Sequence, residues 1–346
     1  MCARTVPHEP VDVVTLGESM VTFLPSRPGR LADVPSFDRA IGGAESNVAC
    51  VLAAAGHSAR WVSRVGADGF GQYLVERIAG YGVDTSAVGT DALRPTGIYF
   101  RTAGDRGTGA HEVAYYRTGS AASVMSAGNV DLGAARAGRV LHLSGITAAL
   151  SPECRELMHA LTAPRAGRPL LSFDVNHRPG LWRTAEGPLV LLDLARRVDI
   201  VFVGEDEAEQ AWGIKGGPEA VRAALPEPDV LVVKQGARGA TAFASHRPPV
   251  FEPALRVEVV ATTGAGDAFA AGFLSATLRG LPLSVRLRHG HLFAAAALTT
   301  PGDLAPPPAR DHADRLSALG GAAWGRLRLG PGWTQADVAE QEANTP

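Results

Sequence analysis

Between Arg139 and Lys234 the chain alternates short aliphatic runs with helix-length segments: Val140–Leu143 then 152–162, Leu170–Asp174 then 185–197, Ile200–Val203 then 205–212, and finally Val230–Lys234. Such a rhythm demands a mostly parallel sheet with helices on both faces, because each return to a parallel strand needs a crossover. Upstream, Val11–Leu16 ends at Gly17 as a first core strand. Arg60–Val65 reads as a further strand, and Gly71–Ala79 as the helix after it. At 346 residues, with 46% hydrophobic and 20% charged side chains, one large α/β domain or two small ones can be filled.

Two stretches break the rhythm. One is a Pro- and Gly-rich excursion from Pro25 to Pro35. The other is a pair of strand-like runs, Thr96–Thr102 and His111–Arg117, joined by a glycine-rich turn at 104–109, which predicts a hairpin. Two helices are expected near 267–279 and 284–299. Past Pro301 the chain is Pro-rich, then weakly helical, and its last ten residues are expected to be mobile. A net charge of −2 excludes a nucleic-acid surface and gives no attraction to a membrane. Cys2, Cys50 and Cys154 share no metal-ligand spacing, and Cys50 reads as a small buried hydrophobe. The first ten residues lack the apolar core of a signal peptide and no run reaches membrane-spanning length, so a cytoplasmic protein is expected.

The segment richest in chemistry is Ala261-Thr262-Thr263-Gly264-Ala265-Gly266-Asp267-Ala268-Phe269. A β-branched run, Val257–Val260, leads into a small-residue turn that opens a helix. The amides of Gly264, Ala265 and Gly266 have no bulk in front of them. They sit where a helix leaves its first N–H groups unpaired and its dipole end positive, which makes an anion cradle. Asp267 beside that cradle is electrostatically odd for simple phosphate binding. It makes sense as the base that takes a proton from a hydroxyl attacking the phosphate. No Walker loop is present.

A second glycine pair, Gly42-Gly43-Ala44-Glu45-Ser46-Asn47-Val48-Ala49, opens an Ala-rich helix that stops at Gly56. Together with Gly66-Ala67-Asp68-Gly69-Phe70-Gly71, Gly82-Val83-Asp84, Lys234-Gln235-Gly236-Ala237-Arg238-Gly239 and the 261–269 segment, in this order, it resembles the ribokinase-like (PfkB) carbohydrate kinases. The resemblance covers most of the chain. It implies a Rossmann-type, mostly parallel sheet with helices on both faces and a small β-sheet lid over the sugar. The kinase domain would span 11–303, with the lid drawn from about 19–41 and 96–117, and a Pro-rich tail would occupy 304–346. It further implies ATP and Mg²⁺ as cofactors, a small-molecule sugar as partner, and a homo-oligomer formed through the lid.

Residue by residue, the resemblance makes Asp267 the base, with Gly264, Ala265 and Gly266 as anion hole. Glu207 aligns with a glutamate that organises Mg²⁺ through water, although Gly204 stands where relatives have Asn. Lys234, Gly236, Gly239 and His291 fall on the nucleotide side. Phe173-Asp174-Val175-Asn176-His177-Arg178 followed by Leu181-Trp182, and Tyr115-Tyr116-Arg117 followed by Gly119-Ser120-Ala121-Ala122, resemble the 2-keto-3-deoxygluconate kinases. The first of these also fits the fructokinase-like branch. An acidic sugar needs planar cationic donors, which Arg117 and Arg178 would supply. Tyr99 and Tyr115 offer hydroxyls and ring faces, with Gly43 and Asn47 as companions. Ala261 stands where potassium-activated relatives carry Asp, so potassium activation is not expected. The reading is ATP-dependent phosphorylation of the terminal hydroxyl of a sugar acid. The alternatives are a ketose kinase such as fructokinase, or a sugar-binding regulator without turnover.

Overall fold

The computed structural model describes residues 8–27, 29–102, 112–182 and 186–335. In chain order its principal strands are β1 (Val11–Leu16), β2 (Met20–Pro25), β3 (Phe37–Gly42), β4 (Ala59–Gly66), β5 (Val88–Asp91), β6 (Ile98–Arg101), β7 (Val113–Tyr116), β8 (Gly138–Ser144), β9 (Leu170–Asp174), β10 (Ile200–Gly204), β11 (Val230–Lys234), β12 (Gly239–Ala244) and β13 (Val250–Pro253). Nine of them form one sheet in the order β13-β12-β11-β10-β9-β8-β1-β4-β5. Neighbours are parallel from β5 to β11, and β12 and β13 add an antiparallel edge. Winding reverses at β1, where the chain goes to β4 on one side and to β8 on the other. Loops past the carboxyl ends of the strands therefore diverge there and leave a crevice.

Both faces of the sheet are covered, which is why strands such as β10 are buried along their whole length. Val201 and Val203 face a core built with Leu157, Met158, Leu191 and Leu194 from the helices Pro152–Thr162 and Gly187–Ala195. Ile200 and Phe202 point the other way, into Phe269, Phe273 and Phe293 of the helices Ala265–Leu278 and Leu283–Leu298. The expected strands and most helices appear within two or three residues. Helix 71–79 starts earlier, at Gly69, because the Asp68 carboxylate accepts from the amides of Phe70 and Gly71. A short helix, Gly145–Leu150, precedes the one at Pro152, and Ser144 and Ser151 cap the two.

The strands on either side of the excursion, β2 and β3, and the two strands of the hairpin form the second sheet, ordered β3-β2-β6-β7. The turn expected at 104–109 lies outside the described residues, as does the end of the tail. One expectation changes. Of the run Val257–Val260, only Val257 joins a strand, β14 (Arg256–Val257), which pairs with β15 (Arg328–Leu329). The described part of the segment after 304, expected as Pro-rich and then weakly helical, carries the helix Arg310–Ser317 and packs on the fold. Trp324 is 1% exposed and donates its Nε1–H to the Pro253 carbonyl at 3.0 Å, and Trp333 donates to Thr299. Ala313 joins the same core. Its aromatic and aliphatic side chains, too few for a core of their own, are buried against the helix pair.

Candidate active site

A cavity of about 890 Å³ opens where the winding reverses, between the carboxyl ends of the main strands and the second sheet. Glu18 follows β1, Asp174 ends β9, Glu207 follows β10 and Lys234 ends β11, and all four line it. Tyr99, Tyr115 and Arg117 reach it from the lid, and Gly43 and Asn47 from the start of the helix Ala44–Ala54.

Gly264, Gly266 and Asp267 form one wall. Gly264 has φ +79°, and a Cβ there would lie 2.2 Å from the Asp303 carbonyl oxygen, so only glycine turns the chain into the helix. The first helical bond runs from the Ala268 amide to the Gly264 carbonyl, 2.9 Å, which leaves the amides before Ala268 without an intrahelical acceptor. A Cβ on Gly266 would touch nothing nearer than the Lys234 ammonium at 3.9 Å. An anion fits this cradle. Asp267 Oδ2 accepts from the Asn47 amide at 2.8 Å. Burial pushes its carboxyl up to about 7, the Asn47 bond opposes this, and the Asp174 charge adds to it. A group poised near neutrality in contact with the cavity can exchange a proton with a hydroxyl.

Behind the cradle Lys234 donates to both Asp174 oxygens at 3.0 and 3.1 Å. Burial acts to lower its pKa, but Asp174 and Glu207 outweigh that and raise it, so the ammonium stays charged. Asn176 is held at φ +42°, a sparsely populated conformation for a non-glycine residue, with its amide 3.2 Å from Asp174 Oδ1. Glu207 caps its own helix by accepting from the Gly204 amide at 2.7 Å, and it also lines the cavity. Burial raises its pKa, while Lys234 lowers it. Among the described residues no three His, Cys, Asp or Glu converge as a metal cage.

Of the two arginines expected to bind a substrate carboxylate, Arg178 is half exposed, with its nearest acid, Glu207, at 3.7 Å. Arg117 is already paired: its Nε donates to Glu18 Oε2 at 2.7 Å, and Glu18 Oε1 accepts from Ser120. Tyr99 and Tyr115 lie directly opposite each other on β6 and β7, rings 5.4 Å apart. Two nucleotide-side expectations are corrected. His291 is buried and does not line the cavity; it lies edge-on against Phe269 with Nε2 3.0 Å from the Glu252 carbonyl of β13. Desolvation pushes its pKa down to about 4, so it is a neutral core residue. Gly239 does not line the cavity. It is glycine because a Cβ would meet the Glu252 carbonyl at 2.3 Å. Gly236 does line it, at φ +57° with open space before it.

Glu18, Asp174 and Asp303 were absent from the expected site. Glu18 and Asp174 carry a readable signal, an acid at or just past the carboxyl end of a strand. Asp303 carries none, because the loop that places it is held by contacts 200 residues away.

A sheet reversing at β1, a turn with unpaired helix amides and a buried carboxyl near neutrality at one cavity suit a phosphotransferase acting on a hydroxyl. The pfkB family carbohydrate kinase model matches residues 11–310, and the chain belongs to that family. It is 35% identical over 315 residues to the 2-dehydro-3-deoxygluconokinase of Bacillus subtilis, covering 89% of this chain and 96% of that one. It is 34% identical over 268 residues to fructokinase-1 of Oryza sativa subsp. japonica, covering 76% and 81%. Among solved structures it is similar to an uncharacterized sugar kinase from Pyrococcus horikoshii in complex with ATP, with 26% identity, a TM-score of 0.76 and coverage of 87% and 96%.

Proposed function

We propose that this sugar kinase phosphorylates the terminal hydroxyl of 2-keto-3-deoxygluconate, using ATP and Mg²⁺. The observation that carries the sugar-acid reading is that Arg117 and Arg178 both line the cavity that holds Asp267. When bound, ATP supplies the phosphoryl group and Mg²⁺ neutralises its charge. The chain supplies the rest. Asp267, oriented by Asn47, takes the proton of the attacking hydroxyl, and the amides at 264–266 donate to the phosphate oxygens as their charge grows. Lys234 adds a positive charge behind the cradle. Gly236 gives the nucleotide an unobstructed backbone surface.

A neutral ketose is the second reading, favoured by one observation: Glu18 already compensates Arg117. Arg117 has five N–H groups and Glu18 engages one edge of the fork, so the outer edge is left for a substrate carboxylate. Charged hydrogen bonds contribute about 1.5–3 kcal/mol each, and 1.4 kcal/mol is about tenfold. On a panel of sugars and sugar acids, the keto-deoxy acid should therefore exceed fructose in kcat/KM by about a hundredfold or more. Arg117→Ala and Arg178→Ala should each weaken use of the acid while barely changing residual activity on a neutral sugar. Equal kcat/KM on both substrates, or equal loss on both in the variants, moves the assignment to a ketose kinase.

The same reading includes a dimer. Strand β7 is an edge of the lid sheet, with Val113 37% and Tyr116 64% exposed. An apolar sheet edge of this kind favours pairing with a second copy. Light scattering should give twice the chain mass, falling to one chain mass in Tyr116→Glu. A monomeric wild-type protein ends the dimer reading. Cys50 and Cys154, both buried and unpaired, suit the reducing cytoplasm we infer.

A further inference from the structure

At the opposite end of the sheet from the cavity, arginines gather around the loop that leads into β9. Arg136 closes the helix Leu132–Arg136 before β8, Arg165 and Arg168 stand on the loop before β9, and Arg196 and Arg197 precede β10. A pocket of about 240 Å³ is lined by Arg136, Arg165 and Arg168. A second cleft, of about 470 Å³, is lined by Arg165, Arg168, Arg196 and Arg197, so the two meet at Arg165 and Arg168. Among the described residues neither has an acid on its wall. Three of the five cations are compensated from behind. Arg168 forks onto both Asp199 oxygens, Arg197 onto both Asp193 oxygens, and Arg196 lies 3.5 Å from Glu227. The other two are not. Arg136 donates to the Ala160 carbonyl at 3.2 Å, and the exposed Arg165 guanidinium has no hydrogen bond or ion pair to another described residue. Arg136 is half-buried, and its burial and the Arg165 charge both act to lower its pKa.

We propose that this cleft is a second ligand site, for a small phosphate-bearing anion held between Arg136 and Arg165. Two like charges that share a pocket, one of them partly out of water, repel each other at a cost that a bound dianion removes. Guanidinium groups present planar pairs of N–H donors that match phosphate oxygens, and they give up water more readily than an ammonium does. The loop holds those donors in place. Pro164 and Pro169 bracket it, Gly167 turns it at φ +69°, and the fork from Arg168 to Asp199 ties its end to the start of β10. Asp199 Oδ2 also accepts from the Leu171 amide at 2.7 Å, so this acid is committed to the frame and leaves Arg136 and Arg165 uncompensated. The larger cleft has the volume of a small-molecule site, so the phosphate can carry a sugar or a nucleoside. Strand β9 separates this site from Asp174 by its full length, roughly 13 Å from Leu170 at about 3.3 Å per residue. The proposal therefore stands apart from the kinase cavity and from the choice of sugar.

The test is hydrogen exchange of wild type, Arg165→Ala and the double variant Arg136→Ala/Arg165→Ala, titrated with inorganic pyrophosphate against sodium chloride of matched ionic strength. In wild type, pyrophosphate should slow exchange of the amides at 165–168 and 196–198, and chloride should not. Arg165→Ala should raise the half-protecting concentration about tenfold, and the double variant about a hundredfold, as each change removes one charged contact. Protection of the turn at 264–266 should be the same in all three proteins, which keeps phosphate in the kinase cavity apart from phosphate at this site. AMP and glucose 6-phosphate separate the sources: the ester that protects 165–168 at the lower concentration shows what the phosphate carries. No protection at 165–168 in wild type, equal protection by chloride, or protection unchanged in both variants would overturn the site. Arg165 is exposed, so Arg165→Ala decides the matter even where the double variant does not fold. Failure of wild type to consume ATP with any sugar overturns the kinase reading instead, and the exchange result at 165–168 is unaffected by it.

Discussion

At the scale of single residues, Asp267 carries a cost that reveals its work. Its carboxyl rises from an ordinary 3.8 to about 7 on folding. Between those values the folded protein binds the proton more tightly than the unfolded chain, so stability falls as pH rises across that window. Asp267→Asn removes the penalty. It should be more stable than wild type above pH 7 by thermal unfolding, with the margin shrinking toward pH 4. The same variant should lose about 10²–10⁴-fold in kcat while keeping sugar and ATP binding. In wild type, kcat/KM should climb with pH to a plateau with an apparent pKa near 7. Near-normal turnover in Asp267→Asn would put the base elsewhere. A variant no more stable than wild type at pH 8 would show that the carboxylate is better solvated than its burial suggests.

Among the elements, the sheet strands and the two long C-terminal helices were legible because their signals are local: aliphatic runs with glycine and proline punctuation. The turn at 264–266 was legible for the same reason, since its glycines and its acid are neighbours in sequence. Glu18 with Arg117, and Asp303 with Tyr99, were not. Each pair is an acid and a partner that only the tertiary fold brings together, so local pattern carries no trace of the pairing. His291 misled in the opposite way. A polar residue near a motif by number is turned into the core by the helix that bears it, where Phe269 packs on its ring. In the C-terminal segment the weak helicity was legible but its packing was not: Trp324 fills the core and also bonds the Pro253 carbonyl. Trp324→Ala should cost about 3–5 kcal/mol in denaturant unfolding, the usual range for emptying an aromatic site. A loss under about 1 kcal/mol would mean that the segment only rests on the surface.

Taken whole, the molecule gathers its chemistry on one side of the sheet. Glu18 reaches the cavity from the carboxyl end of β1, where the winding reverses, and Asp174, Glu207 and Lys234 reach it from the carboxyl ends of β9, β10 and β11, with the lid over the same end. No single stretch of chain could make the site, and that has a consequence for how the protein comes into being. The bond from Asn47 to Asp267 spans 220 residues, and the one from Tyr99 to Asp303 spans 204. At synthesis rates of about 5–20 residues per second, roughly 10–45 s separate the appearance of Asn47 from that of the carboxylate it orients. Lid strands β6 and β7 are made within that interval, while Asp267 and the 264–266 turn are still missing. A fragment that ends before residue 267 therefore has the first glycine turn and the lid strands without the carboxylate and the turn they face.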